Sequence, residues 1–187
     1  VVGCSHHNAP IEFRERLAFD DRQGRDALAR WRDRYPDVEA VLLSTCNRVE
    51  LYLAVGQGET PCRGAVGAFF AEFHGICPAD TTSRLFDLPD GEAVAHLFRV
   101  ACSLDSMVVG EPQILAQVKQ AYQRSVDSGS AGPAMHELFQ SAMRTARRVH
   151  NETGLHRHRV SIPSVAIADF ASRVFERFDD KHVLVIG

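Results

Sequence analysis

Between two apolar stretches of the chain, EAVLLS at 39–44 and VELYLAV at 49–55, lies the short run Ser44-Thr45-Cys46-Asn47-Arg48. A strand-to-strand turn is ordinarily filled with Gly, Asn or Asp, whose backbones tolerate the tight geometry. Here a thiol, a hydroxyl, an amide and a guanidinium are packed together instead. Cys46 as a thiolate would be a strong nucleophile, and Arg48 nearby would favour the anion. The plain alternative is a half-buried cysteine beside a surface arginine, since buried, unreactive thiols are common.

A second cluster is LDSMVVGEPQI at 104–114, in which Asp105, Ser106, Glu111 and Gln113 fall within a short span. Gly110-Glu111-Pro112 makes a preset start to a helix, where a carboxylate suits the positive end, so capping is the simple reading of Glu111. His96 lies on an apolar helix face with Val94, Leu97 and Val100, a setting in which histidine is more often a packing residue than a base. His6-His7 and His156-Arg157-His158-Arg159 resemble metal ligands only in composition, because no acidic or cysteine partner is spaced to complete a site. No metal is therefore expected. Arg144, Arg147 and Arg148 stand at i, i+3 and i+4 of a helix, and with the HRHR run they could contact phosphate or simply form a solvated face.

The elements that must hold these groups follow from hydrophobic periodicity. Residues 1–4 read as the end of a strand, 20–35 as a helix stopped at Pro36, and 39–44 and 49–55 as strands. Residues 61–74 form a helix with a Phe-rich face closed by Gly75, and 84–88 a fourth short strand. Strand, helix, strand, strand, helix, strand is the split βαβ order of ferredoxin-like folds, an antiparallel sheet with helices on one face. After Asp90 the pattern is all helix, over 92–102, 112–126, 133–150 and 163–178. The final run KHVLVIG at 181–187 reads as the first strand of a dinucleotide-binding unit, with Gly187 opening the glycine loop. The fold class expected is thus α+β: a ferredoxin-like sheet over 1–90, a helical subdomain over 91–160, and the opening of a Rossmann-type domain over 161–187.

Composition narrows the classes. With 187 residues, 45% hydrophobic and 24% charged, the chain can bury a sizeable core and is not disordered. A net charge of −3 argues against holding nucleic acid by bulk charge, leaving only a local basic patch for that purpose. Five widely spaced cysteines without a CxxC pair fit neither a disulfide scaffold nor a zinc knuckle, and a reducing cytoplasm is the natural setting. No apolar run approaches the ~18 residues of a membrane span, and no signal peptide opens the chain. The first residue is not Met and sits inside an apolar stretch, so a few residues are expected to precede it.

Taken together the segments GCSHHNAPIEFRERLAF (3–19), LSTCNRVELY (43–52), LDSMVVGEPQILAQVK (104–119) and ETGLHRHRVSIPSVA (152–166) resemble glutamyl-tRNA reductases. The STCNRxE and DSxVxGEPQILxQVK blocks are long and specific, and they occur in that order about sixty residues apart. The resemblance implies NADPH-dependent reduction of glutamyl-tRNA(Glu) to glutamate-1-semialdehyde, the first step of five-carbon tetrapyrrole synthesis. Cys46 falls on the family's nucleophile, which holds glutamate as a thioester; a thioester accepts a hydride that a free carboxylate would refuse. Thr45, Arg48, Ser106, Glu111 and Gln113 fall on positions associated with recognising the glutamate moiety. Arg48 suits the side-chain carboxylate and Glu111 the α-ammonium. His96 matches the histidine proposed as general base. Ser5, His7 and Asn8 replace the more usual Asn, Lys and Thr, and Ser103 stands where Gly is usual. The resemblance further implies an NADPH domain and a dimerising domain after this point, with glutamate-1-semialdehyde aminomutase as a partner. The runner-up from another class is a non-catalytic RNA-binding module that stacks bases on its sheet.

Overall fold

The structure is a computed structural model that describes residues 1–155 except 57, 59 and 112, together with 171–177, 179, 182 and 184. The elements run β1 (Val2–Ser5), α1 (Ile11–Leu17), α2 (Asp21–Arg34), β2 (Val38–Ser44), β3 (Arg48–Val55), α3 (Arg63–His74), α4 (Pro78–Ser83) and β4 (Phe86–Asp87). They continue with α5 (Asp90–Ala101), α6 (Gln113–Asp127), α7 (Pro133–Glu152) and α8 (Ser172–Val174). Local chemistry sets several boundaries. Asp20 opens α2 through a capping box: its carboxylate accepts from the Gln23 amide at 2.8 Å, and the Gln23 side chain accepts from the Asp20 amide at 2.9 Å. Gly75 closes α3 at φ +65°, a left-handed turn that glycine adopts without a Cβ clash.

The sheet order is β2-β3-β1-β4, with every neighbouring pair antiparallel. This is the expected ferredoxin-like α+β arrangement. Two short helices were not legible: α1, and α4 with its proline in the first turn. The register pairs Ser44 with Val49 and Arg48 with Ser5, so the β2–β3 connection and the end of β1 meet at one end of the sheet.

Side chains alternate across the pleat, and both faces are covered. Val2, Cys4, Ala40, Leu42, Val49 and Leu51 pack with Leu17, Leu28, Trp31, Phe69 and Phe70 from α1, α2 and α3. Val41, Leu43 and Tyr52 point the other way, into Leu97, Val100, Val118 and Phe139 of α5, α6 and α7. The expectation of helices on one face therefore holds only for the first half; the helical subdomain closes the second face. That explains the unbroken apolar run of β2, which has no solvent side. Glu39 ties the halves together: its carboxylate accepts from the amides of Gly132, Ala134 and Met135 at 3.1, 3.2 and 2.8 Å, capping α7 from β2.

Among the described residues no helix is long and apolar enough to cross a membrane. The helix expected over 163–178 is described only in part, at α8. The strand expected over 181–187, Gly187, Pro112 and the HRHR run lie outside the described residues or nearly so.

Candidate active site

The turn between β2 and β3 is drawn tight by its own polar groups. The Thr45 amide donates to the Arg48 carbonyl at 2.8 Å, and the Asn47 amide donates to Thr45 Oγ1 at 3.2 Å. Two outside elements hold it. The His6 amide, just past β1, donates to the Asn47 carbonyl at 2.9 Å. Arg14, buried on α1, donates from Nε to the Cys46 carbonyl at 3.4 Å and from Nη1 to the Ala9 carbonyl at 2.6 Å. The result places Cys46 exposed at the tip of a braced hairpin. Cys4 and Cys102 are buried, and burial pushes both thiols up, Cys4 to about 11, which leaves them poor nucleophiles.

Arg48 turns away from that tip. Its side chain is 1% exposed and lies on the α5–α7 face, where Nη1 donates to Glu50 Oε1 at 2.8 Å. Both Nη atoms also reach Asp105 Oδ2 at 3.1 Å, and Nη2 donates to the Asp105 carbonyl. Glu50 is fully buried and receives three neighbours: Arg48, the Tyr52 hydroxyl at 2.7 Å, and His96 Nε2 at 2.9 Å. Burial pushes the Glu50 carboxyl up, but the His96 hydrogen bond, the Arg48 and His96 charges and the Tyr52 hydroxyl outweigh it. Its pKa therefore lies below the ordinary carboxylate value. Burial opposes the charge on Arg48 too, and the Glu50 and Asp105 carboxylates more than restore it.

Gly3, paired with Glu50 across β1–β3, makes this possible: a Cβ there would stand 2.4 Å from the Val49 carbonyl and 2.9 Å from Glu50 Cγ. The expectation that Arg48 serves the Cys46 thiol directly thus meets a different geometry, with the guanidinium committed to two carboxylates. His96 is likewise committed, packed against Tyr52 and edge-on to Phe86.

The loop after α5 brings the second sequence cluster over Arg48. It turns at Ser103, whose φ of +59° is a left-handed conformation costly for a residue with a Cβ. Ser103 Oγ donates to Ser106 Oγ at 3.1 Å, and the Ser103 carbonyl accepts from Gly110. Asp105 is thereby set against Arg48, the residue that follows the Thr45–Asn47 turn, with Ser106 next to it in the chain. Glu111 and Gln113 stand farther along. Glu111 opens on a groove of about 230 Å³ shared with Ser103, Leu115, Arg147, His150 and Asn151, and Gln113 is exposed at the start of α6. Arg144, Arg147 and Arg148 are exposed on α7, with Arg148 paired to Glu152 at 3.2 Å. Among the described residues no group of His, Cys, Asp and Glu is placed to hold a metal.

Sequence reasoning missed Glu50, Tyr52 and Arg14. A carboxylate inside VELYLAV, and Phe13 and Leu17 one turn apart around Arg14, were the signals.

Residues 2–153 match the family described as glutamyl-tRNAGlu reductase, N-terminal domain. The chain is 45% identical over its whole length to a glutamyl-tRNA reductase of Rhodopirellula baltica, and 44% identical to one of Rubrobacter xylanophilus. It spans 44% and 43% of the length of those two relatives. A glutamyl-tRNA reductase structure from Methanopyrus kandleri superposes with a TM-score of 0.69 at 34% identity, over 92% of this chain and 39% of that one. With residues 2–153 matched by the family and relatives 45% and 44% identical along the whole chain, the chain belongs to the glutamyl-tRNA reductase family, in its N-terminal domain.

Proposed function

We propose that this domain takes the glutamyl group of glutamyl-tRNA(Glu) onto Cys46 as a thioester, for reduction to glutamate-1-semialdehyde at the start of tetrapyrrole synthesis. The observation that carries this reading is an exposed thiol on a braced turn, two residues before an arginine whose buried guanidinium already holds the Asp105 carboxylate. Asp105 marks where the glutamate side-chain carboxylate would sit: it reaches Arg48 through Oδ2 and is itself only partly buried. A substrate carboxylate that displaces Asp105 keeps Arg48 neutralised while fixing the ester carbonyl near Cys46.

Thr45 and Ser106 supply hydroxyls beside Cys46 and Asp105 in the chain, and Glu111 offers a negative charge for the α-ammonium from across the loop. His96 holds Glu50, and Glu50 holds Arg48, so we assign His96 to positioning. The groove lined by Glu111 and Arg147 gives the tRNA acceptor end a path past the loop. NADPH, bound by residues expected beyond those described, would supply the hydride; the homodimer and the aminomutase contact belong to the same proposal. The RNA-stacking alternative loses its surface, because both faces of the sheet lie under helices.

The chemistry is testable without the cofactor. Acyl transfer to Cys46 followed by hydrolysis releases free glutamate from radiolabelled glutamyl-tRNA. Cys46→Ser should remove that release, and equal rates in the two proteins would end the covalent mechanism.

A further inference from the structure

Exchange of carboxylates at Arg48 leaves a charge to be accounted for. Arg48 already faces Glu50 and Asp105, so the glutamate side chain would bring a third carboxylate to one guanidinium. Each Nη atom carries two hydrogens. Glu50 Oε1 and the Asp105 carbonyl use one on each, and both remaining hydrogens go to a single atom, Asp105 Oδ2, at 3.1 Å. An entering carboxylate would put two oxygens where Asp105 puts one, the stronger fork arrangement. The Asp105 carbonyl keeps the loop anchored on Arg48 while the carboxylate leaves. The other oxygen, Oδ1, already has a destination: His7 Nε2, on the connection from β1 to α1, lies 3.4 Å away. We propose that His7 receives the Asp105 carboxylate when substrate takes Arg48, and takes up a proton from solvent as it does so.

The proton offsets the added carboxylate, so the net charge of the cluster is unchanged by binding. Imidazolium at His7 pairs with Asp105, while Arg48 keeps Glu50 and gains the substrate. His7 is exposed, so water reaches its ring. Its neighbours are placed differently. His6 stacks on it at 3.9 Å between ring centroids. Burial first, then His7, Arg48 and Arg14, push His6 below the ordinary histidine value while Asp105 opposes them, so His6 is the neutral member of the stack. His96 directs Nε2 to Glu50 at 2.9 Å rather than to Asp105. Around the two stacked rings the charged groups are thus Arg14 from α1, Arg48 from β3 and Asp105 from the loop after α5.

This inference rests on Arg48 holding the glutamate side chain, and the experiment separates the two. Binding to the Cys46→Ser protein, which forms no thioester, would be measured by rapid filter binding from about pH 5.5 to 7.5, where imidazole gives up its proton. The ligands are tRNA(Glu) carrying glutamate and the same tRNA carrying glutamine, whose side chain is uncharged. The preference for glutamate should fall about tenfold across that range, the worth of one unit of coupling between His7 and Asp105. Adding His7→Gln should leave a low preference that does not vary with pH. Adding His7→Lys, whose charge persists, should restore a high and equally flat one, which a merely structural residue would not do. A fall as steep in either variant as with His7 in place, or no variation with pH in any of the three, would overturn the role of His7. Equal binding of the two ligands at every pH would instead remove the Arg48 site and His7 together.

Discussion

On the face of the sheet covered by α1–α3, Trp31 meets Phe69 edge-on at 5.0 Å, and Phe19 packs with Phe70 and Phe73 at 5.6 and 5.0 Å. On the face covered by α5–α7, the same strands carry Arg48, Glu50 and Tyr52, bonded to His96 and Asp105. Both faces are buried, yet they do different work. The first gains from every square ångström removed from water, roughly 25 cal/mol each. The second offsets desolvated charges against one another, an arrangement that stabilises little in net terms and is costly to break on one side only. A protein concerned only with stability would fill the second face with leucine. In the proposed function, a buried, charged Arg48 held by Glu50 and Asp105 is preparation for a carboxylate-bearing substrate.

The largest stability effect should come from the first face. Trp31→Ala removes a fully buried indole and should cost about 3–5 kcal/mol, read as a lower denaturant midpoint, with the Cys46 turn unaltered in the folded fraction. A loss as small as that of a surface substitution would mean that this face does not carry the fold.

Glu50→Gln comes next, since it strips one partner from Arg48, His96 and Tyr52 at once, at about 1.5–3 kcal/mol. It also carries a pH signature. The folded pKa of Glu50 lies below its unfolded value of 4.5, so the unfolded state binds more protons in that window. The associated stability is present above about 4.5 and is lost as pH falls through the folded pKa. Chemical denaturation at descending pH should show this acid loss in the wild type and a shallower one in Glu50→Gln; parallel curves would contradict the account.

Arg48→Lys keeps the charge and loses the planar fork. We expect about 1.5–3 kcal/mol from transition-state stabilisation, roughly a ten- to hundredfold fall in glutamyl-transfer efficiency. An unchanged rate would confine Arg48 to structure. The smallest effect should come from the exposed counterpart: Arg148→Ala breaks an i,i+4 pair with Glu152 in open solvent and should leave the melting temperature unchanged within error.

The sequence carried the sheet order because β2 and β3 are regular, apolar and separated by an obvious turn, and because Asp20 and Gln23 mark a helix start. It did not carry α1, whose seven residues hide inside a polar motif with only Phe13, Arg14 and Leu17 turned inward. Nor could it carry the Arg48–Glu50–His96 chain. Glu50 and Tyr52 alternate with apolar residues as a solvent-facing side would, and only the packing of helices from after residue 90 turns that side into an interior. The Glu39 cap on α7 has the same origin, since its partners lie 93 to 96 residues away. Cys46 and Arg48 stood out as candidates because a turn is ordinarily filled with Gly, Asn or Asp; the direction in which Arg48 points was not legible, because it depends on Glu50 and Asp105.

The central claim is that Cys46 itself carries glutamate. The direct measurement is peptide-mapped mass spectrometry of the protein mixed with glutamyl-tRNA, quenched in acid and digested under conditions that spare thioesters. The account predicts one glutamyl group on the peptide containing Cys46, released by hydroxylamine and absent from Cys46→Ser. A glutamyl group on Cys62 or Cys77, or an unmodified Cys46 while glutamate is being released, would contradict it.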